Sequence, residues 1–385
     1  MEIKDVRTGE RRAVLISSPH AGNAIDAERL AAWLGRVGIA VTESLLISDL
    51  DHTQPQGMRW RARGDDLAIV AGGDGAIGSV ATQLAGSGLP LAILPMGTAN
   101  DVARSLLLPM DVEEACTAVA GAVPMEIDVG QVLPGLTEPG AYAVRHEASA
   151  HEAVQLAGEP SPVAGVYFVH ASTLGLNVEF ARLATDIGRR RRLGRLNYAA
   201  SAIEAMTHFH PVDVRLRLFG MEGVDDETVI ESHAMQVSIV NTSVFGGRMG
   251  VRLPDVRLHD RQLDFMLVEA ADARRLRQTI QRLLASPNAA EERPEEPDQP
   301  GHQGEPAHLP GVRRFRARAA IIETPEPVDV TLDGEIRTHT PVLVRVAPQS
   351  LRVLVTPQAK HLLARDRLTD DVNDIGDVDA ASRGQ

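Results

Sequence analysis

The sequence predicts an α/β protein in two parts: a mainly parallel, helix-covered sheet at the amino end, and a β-rich, β-sandwich-like domain after it. Two observations support this prediction. Short apolar runs alternate with helical patterns over the first third of the 385 residues, which is typical of parallel sheets with crossover helices. Near Met125 the pattern changes to a succession of short strand-like runs, and such runs are typical of a β-rich domain.

The amino-terminal elements alternate between strand and helix. A helix is predicted to begin after the N-cap residue Asp26 and to end at Gly38. A later helix stops at Pro109, and Asp111 caps the next one. Strands are predicted at 13–17, within 39–47, at 66–71 and at 89–94, and helices at 77–84 and 99–107.

The second part combines strand-like runs with polar inserts. Segments near 134–162 and 286–311 are rich in polar residues and proline and are predicted to be mobile inserts. We therefore predict an α/β domain at 1–128, a β-rich domain at 129–348, and a segment at 349–385 that can return to the first domain before an acidic tail. Strands are predicted at 127–132, 165–171, 212–219, 233–241, 263–269, 316–323, 328–332, 342–347 and 351–355, with one helix at 195–206.

Composition excludes several classes of protein. The formal net charge is −13 and aromatic residues make up 3% of the chain, so neither a broad phosphate-binding surface nor base-stacking rings for nucleic acid are expected. The single cysteine, Cys116, excludes an intrachain disulfide and is typical of a reducing compartment. The charged start of the chain does not resemble a signal peptide, and no apolar run reaches the roughly 20 residues that span a bilayer. A cytoplasmic protein is therefore expected.

Three loops leave the carboxyl ends of predicted strands, where open α/β sheets bind ligands. Glycine there permits close approach of the backbone, and its N–H groups, with the following helix N-terminus, attract anions. One such loop can be no more than a tight turn, but three at one sheet edge favour a nucleotide in a Rossmann-like domain. The candidate nucleotide-binding residues are Ser18, Gly22 and Asn23 in the first loop, Gly72, Gly73, Asp74, Gly75 and Ser79 in and after the second, and Gly97, Thr98, Asn100 and Asp101 in the third.

Two of these loops carry motifs of a known family. The segments 71–75 (AGGDG) and 94–106 (LPMGTANDVARSL) together closely resemble the diacylglycerol kinase catalytic domain family, which pairs a GGDGT loop with a PLGTxNDFAR-like segment. GGDG alone is less specific, because NAD kinases and phosphofructokinases share it. The likeness extends over about residues 12–357 apart from the inserts, with further matching segments at 18–22, 171–177, 192–198, 241–247 and 332–335.

The resemblance implies a lipid kinase that uses ATP and Mg²⁺. ATP would bind in the domain at 1–128, and the γ-phosphoryl group would pass to a hydroxyl of diacylglycerol or a similar long-chain lipid held by 129–348. The family's DGE motif is implied to supply the general base, and Asp333 and Glu335 both stay candidates. From the residues alone, Asp333 and Gly334 between two β runs indicate a hairpin turn.

Some positions depart from the family pattern. Ala76 stands where the family prefers threonine, and Gly78 and Ser79 stand where it often has asparagine and glutamate. In some bacterial members an aspartate contributes to a structural Mg²⁺ site, and Asp260 is the matching position. Because the family's glycine is Arg261 here, an exposed turn before a strand is the alternative interpretation of this segment.

The sequence leaves alternatives open for function and partners. A small-molecule kinase of the NAD kinase type is one alternative, and a non-catalytic nucleotide- or lipid-binding regulator is another. The basic run Arg189–Arg195 could bring an acidic protein to anionic lipid headgroups, at about 1 kcal/mol per residue, or it is only a solvated face. A lipid substrate at a membrane surface is the expected partner, and no oligomeric state is predicted.

Overall fold

The computed structural model describes residues 10–19, 22, 24–50, 55–133, 166–176, 178, 210–224, 227–245, 251–253, 256–270 and 312–364. It confirms the predicted fold class, an α/β part followed by a β-rich part. The predicted helix at 195–206, the basic run Arg189–Arg195 and the inserts near 134–162 and 286–311 lie outside the described residues. The predicted domain boundaries stay predictions.

The amino-terminal part is a parallel sheet whose strands lie in the order Leu91–Pro95, Leu67–Gly72, Arg11–Ser17 and Ile39–Leu46. The first three contain continuous apolar runs because they are covered on both faces, whereas the fourth lies at the edge and is partly exposed. Leu15 and Ile69 pack against Leu34 on one face, whereas Ile16 and Val70 belong to a second core on the other face. The elements are β1 (Arg11–Ser17), α1 (Ala27–Arg36), β2 (Ile39–Leu46), a 3-10 turn (Ile47–Asp49), α2 (Gly57–Ala62), β3 (Leu67–Gly72), α3 (Asp74–Leu84), β4 (Leu91–Pro95), α4 (Asp101–Ser105), α5 (Val112–Ala120) and β5 (Val123–Val132).

The β-rich part is mainly antiparallel and closes over a third core that includes Phe168, Leu216 and Phe265. The strands are β6 (Val166–Phe168), β7 (Ala171–Gly175), β8 (Val212–Phe219), β9 (Thr228–Val240), β10 (Val244–Phe245), β11 (Val251–Arg252), β12 (Leu263–Glu269), β13 (Arg313–Ala317), β14 (Ala319–Glu323), β15 (Asp329–Leu332), β16 (Glu335–His339) and β17 (Val342–Val355). Their order in the sheet is β16-β15-β7-β9-β8-β14-β17, and β12 pairs with both β9 and β13.

One long strand, β17, runs through both parts. Its first half pairs with β14, and Val353 near its end pairs in parallel with Leu91 of β4. The sequence predicted two strands here, at 342–347 and 351–355. The structure instead has one strand with a shift in register between Ala347 and Leu351. Gln349, with φ of 49°, lies in this irregular stretch. The irregularity explains why the sequence pattern predicted two strands with a gap between them.

Two helix boundaries also differ from the predictions. Helix α3 begins at Asp74 rather than near residue 77, because Gly73 already serves as its N-cap residue. Helix α4 covers only Asp101–Ser105 and starts after Asn100, whose φ of 55° lies in the left-handed region. The glycine-rich loops are therefore short and lead directly into helix N-termini. Within the described ranges, none of the helices has the length and apolar character needed to cross a membrane.

Candidate functional site

The three predicted loops meet at the carboxyl ends of β1, β3 and β4. A methyl group built on Gly97 would lie 2.4 Å from Cα of Gly73, so the second and third loops touch through their backbones. A methyl group on Gly22 would lie 3.1 Å from Oγ1 of Thr98, which brings the first loop beside the third. Of the predicted residues in these loops, Asn23 lies outside the described part. Glycine is needed at 97 because any side chain would separate the loops.

Polar side chains fix the geometry of these loops. The Asp74 carboxylate accepts hydrogen bonds from the backbone N–H groups of Asp101 (3.2 Å) and Val102 (3.0 Å), so the GGDG aspartate caps α4. Asn100 accepts a bond from the N–H of Gly97 (2.8 Å) and donates one to its carbonyl (3.0 Å). Asn100 therefore fixes the shape of the third loop, and Asp74 joins the second loop to the third.

The DGE motif forms a hairpin turn between β15 and β16, as the residues alone indicated. Asp333 and Gly334 have φ of 48° and 88°, both in the left-handed region. The buried Asp333 carboxylate accepts three backbone N–H bonds, from Val169 (3.0 Å), His170 (2.8 Å) and Ala171 (3.0 Å). The motif is thus both a turn and the anchor of the segment between β6 and β7.

This hairpin packs directly on the helix that follows the GGDG loop. A methyl group on Gly78 would lie 2.0 Å from Oδ2 of Asp333, and one on Gly75 would lie 3.0 Å from Oε1 of Glu335. The contact brings the DGE carboxylates to the first two turns of α3. Gly78 departs from the family pattern, and in this structure the absence of its side chain is what leaves room for Asp333.

Arginine completes this contact. Arg337 of β16 donates a hydrogen bond to Oγ of Ser79 (3.0 Å) and forms an ion pair with Glu335. Ser79 is one of the predicted nucleotide-binding residues, and its hydroxyl accepts a hydrogen bond from Arg337 in this structure. Arg337 was missed, although its position two residues after Glu335 places both side chains on one face of the strand.

Burial dominates the electrostatics of Asp333. Desolvation raises the pKa of its carboxyl to about 6, against the opposing effects of the neighbouring His170 and of the three backbone N–H bonds. A carboxyl group with a pKa in this range can exchange a proton near neutral pH. His170, also missed from the sequence, lies with its ring Nε2 3.5 Å from Oδ2 of Asp101, between the third loop and the hairpin.

The residues around Asp260 do not fit the structural Mg²⁺ site that the resemblance implied. Oδ1 of Asp260 accepts a bond from the N–H of Gln262 (3.0 Å), and Oδ2 forms an ion pair with Arg316. The N–H of Arg261 donates to the buried Asp128 (2.6 Å). Burial raises the pKa of Asp260, but the guanidinium already neutralises the carboxylate. No cluster of three or more metal-ligating side chains occurs among the residues that the structure describes.

We expect Arg316, rather than a metal ion, to stabilise this turn. Arg316→Gln should lower the free energy of unfolding by about 1–3 kcal/mol in urea denaturation, because a partly buried carboxylate loses its cation. Mg²⁺ without nucleotide should leave the melting temperature of the unmodified protein unchanged. Arg352→Gln is the control, since its ion pair with Glu126 is exposed. A Mg²⁺-dependent rise in melting temperature that disappears in Asp260→Asn would contradict this prediction.

Two segments of the chain match known protein families. Residues 12–132 match the model described as diacylglycerol kinase catalytic domain. Residues 172–290 match the model described as YegS C-terminal NAD kinase beta sandwich-like domain. The two matches together span more than half of the 385 residues, and they confirm the resemblance that the loop motifs predicted.

Individual relatives have low sequence identity to this chain, but the alignments cover most of its length. A diacylglycerol kinase of Bacillus subtilis is 26% identical over 272 residues, which are 68% of this chain and 75% of the relative. One from Mycobacterium tuberculosis is 23% identical over 298 residues, 76% of this chain and 78% of its own length. The crystal structure of a diacylglycerol kinase from Bacillus anthracis superposes with a TM-score of 0.58 at 20% identity, covering 91% of this chain and 99% of that one. This last likeness concerns the fold.

Proposed function

Since this chain belongs to the diacylglycerol kinase catalytic domain family, we propose that it is an ATP-dependent lipid kinase. It transfers the γ-phosphoryl group to the hydroxyl of diacylglycerol or a similar long-chain lipid. The observation that carries the proposal is the contact between two motifs distant in sequence: the DGE hairpin lies against the helix that follows the GGDG loop. The contact supports the proposal because a phosphate chain bound at the loops would lie beside the helix that these carboxylates contact.

The nucleotide enters as its magnesium complex, with Mg²⁺ travelling on the phosphates as part of the substrate. Backbone N–H groups at the loops, together with the N-terminus of α3, suit an anionic phosphate chain. Gly73 and Gly97 allow the phosphates to approach the backbone because neither carries a side chain. The magnesium ion supplies positive charge to the transferred group.

The chemical step needs alignment and one proton transfer. The lipid oxygen attacks the γ-phosphorus as the bond to the bridging oxygen of ADP breaks, and the hydroxyl proton passes to a carboxylate. Asp333 is the proposed base. Its oxygens already accept three N–H bonds, which leaves one lone-pair position, on Oδ2, for the incoming hydroxyl. Glu335, with a more exposed carboxylate paired to Arg337, is the alternative base.

The substrate defines where this chemistry takes place. A lipid hydroxyl is presented at a membrane surface, so the proposed enzyme meets the bilayer peripherally, and its use of ATP agrees with a cytoplasmic location. The basic run Arg189–Arg195 is the proposed contact with anionic headgroups, since each arginine near such a surface contributes about 1 kcal/mol. Neither nucleic acid nor a protein partner is part of the proposal.

Transfer of label from ATP tests the proposal directly. The purified protein is incubated with Mg²⁺ and γ-labelled ATP, and separate reactions offer detergent-dispersed diacylglycerol, monoacylglycerol, sphingosine, undecaprenol or NAD. We expect label on one of the lipids. Label on NAD alone would favour the NAD kinase alternative. Absence of transfer to any acceptor, with ATP binding shown by calorimetry, would favour a non-catalytic regulator.

Activity should fall as the pH decreases through about 6. The base acts only when ionised, and burial raises the pKa of Asp333 to about 6. A profile of kcat/KM against pH for the free enzyme should therefore decrease on the acid side with a midpoint near this value. A flat profile down to pH 5, with the protein still folded, would count against Asp333 as the base.

We expect Gly73→Val to weaken ATP binding by about tenfold or more, because valine must separate the second and third loops. Even a methyl group at this position would lie only 3.0 Å from Cα of Gly97. Calorimetry with ATP is the measurement. Gly35→Val is the matched control, because nothing lies within 4 Å of a methyl group there. Unchanged affinity in a folded Gly73→Val protein would remove this loop from the nucleotide site.

A further inference from the structure

His170 lies between the two halves of the candidate site. Its ring Nε2 is 3.5 Å from Oδ2 of Asp101 at the start of α4, and its ring Nδ1 is 2.6 Å from Oγ1 of Thr242. Its backbone N–H donates to Oδ1 of Asp333 over 2.8 Å. One residue therefore contacts the helix of the third nucleotide loop and the carboxylate of the DGE hairpin.

The partners of the ring suit a charged imidazole. The Thr242 hydroxyl has a second hydrogen-bond acceptor besides the ring, the carbonyl of Val244 at 3.1 Å, so it can donate there and accept from Nδ1 of His170. On the other side, Nε2 faces the carboxylate of Asp101, and an ionised carboxylate only accepts. A ring with a proton on each nitrogen could donate to Thr242 and face the carboxylate as a cation.

A positive charge on the ring would act on two buried carboxylates. The side chains of Asp101 and Asp333 are buried, and the ring is packed beside Phe245 at a centroid distance of 5.6 Å. Asp101 faces the ring from α4, and Asp333 approaches it from the hairpin. The next charged groups on that hairpin, Glu335 and Arg337, neutralise each other. In the part of the chain that the structure describes, the His170 ring thus lies between two buried carboxylates.

We propose that His170 is a positioning residue, whose doubly protonated ring joins Asp101 of the nucleotide side to the turn that binds the Asp333 carboxylate. This inference rests on the proposed kinase function. Because Asp74 caps α4 and α4 carries Asp101, the ring connects the GGDG loop to the proposed base. It also supplies a positive charge that favours the ionised form of Asp333.

The test removes the charge of the ring and keeps a polar side chain at the same position. His170→Gln can still donate to Asp101 or to Thr242 but is neutral. We expect kcat to fall by about 10²-fold with little change in the KM for ATP. We also expect the acid side of the kcat/KM profile to move to higher pH, since loss of a nearby cation makes a carboxylate harder to ionise. His233→Gln is the matched control, because His233 pairs with the exposed Asp213 far from the hairpin.

The pH profile separates positioning from simple structural support. If His170→Gln lowers the rate but leaves the acid side at the wild-type pH, the proposal is overturned. A second measurement does not depend on activity. Ring ¹⁵N spectra are recorded for the protein with labelled histidine, and the His170 signals are identified as those that disappear in His170→Gln. Two protonated nitrogens support the proposal, and a single one overturns it. Absence of kinase activity in the wild-type protein would overturn the proposed function but leave this spectrum informative.

Discussion

Asp333→Asn should reduce lipid phosphorylation by about 10²–10⁴-fold, the contribution that a positioned proton acceptor makes to a rate. The amide has nearly the same shape as the carboxylate but cannot take the proton of the lipid hydroxyl. ATP binding should persist, because the glycine-rich loops do not involve the side chain of Asp333. The measurements are kcat with the lipid identified by label transfer, and ATP affinity by calorimetry.

The control for this variant must separate chemistry from folding. Asp333 accepts three backbone N–H bonds, so an amide whose NH₂ faces one of them also costs stability, by about 1–3 kcal/mol. Thermal unfolding of the variant shows whether the protein is still folded at the assay temperature. Glu335→Gln is the matched change on the neighbouring carboxylate. Near-normal turnover in folded Asp333→Asn, together with loss of turnover in Glu335→Gln, would transfer the role of base to Glu335.

The elements that could be predicted from the sequence are those whose determinants are local. The predicted strands at 212–219 and 263–269 agree with β8 and β12 to the residue. Asp26 and Asp111 were predicted as N-caps, and their carboxylates accept N–H bonds from the first turns of α1 and α5. The alternation of apolar residues and the hydrogen bonds of N-caps involve residues close together in the chain, so both can be recognised from the sequence.

The parts that could not be predicted depend on packing between distant segments. Asp333 binds the N–H of Val169, 164 residues away, and Arg316 reaches Asp260 across 56 residues. Nothing in the neighbourhood of Asp260 reveals that an arginine from another strand will neutralise it. The role of Gly78 could not be predicted either, because it depends on contact with the distant residue Asp333. A glycine inside a helical pattern looks like a weak helix former, and only the packed hairpin explains it.

Gly78→Ala should cost about 1–3 kcal/mol of folding free energy, the usual penalty for overpacking. The added methyl carbon would lie 2.0 Å from Oδ2 of Asp333, whereas real contacts of this kind stay above 3.0 Å. The hairpin or α3 must therefore move by about 1 Å, a displacement that can lower a catalytic rate by about 10²-fold. Urea denaturation and kcat for lipid phosphorylation are the two measurements.

Gly35→Ala is the matched control, because it makes the same change in α1 at a position with nothing within 4 Å of the new methyl group. It should stabilise the protein by about 0.4–1 kcal/mol, since alanine is the better helix former and restricts the unfolded chain. The contact itself is tested by combining Gly78→Ala with Asp333→Ala. If the methyl group acts by displacing the carboxylate, the cost of Gly78→Ala should decrease markedly in the Asp333→Ala background. Equal costs in both backgrounds would mean that Gly78 is required for another reason, and that the contact between α3 and the DGE hairpin does not fix their relative position.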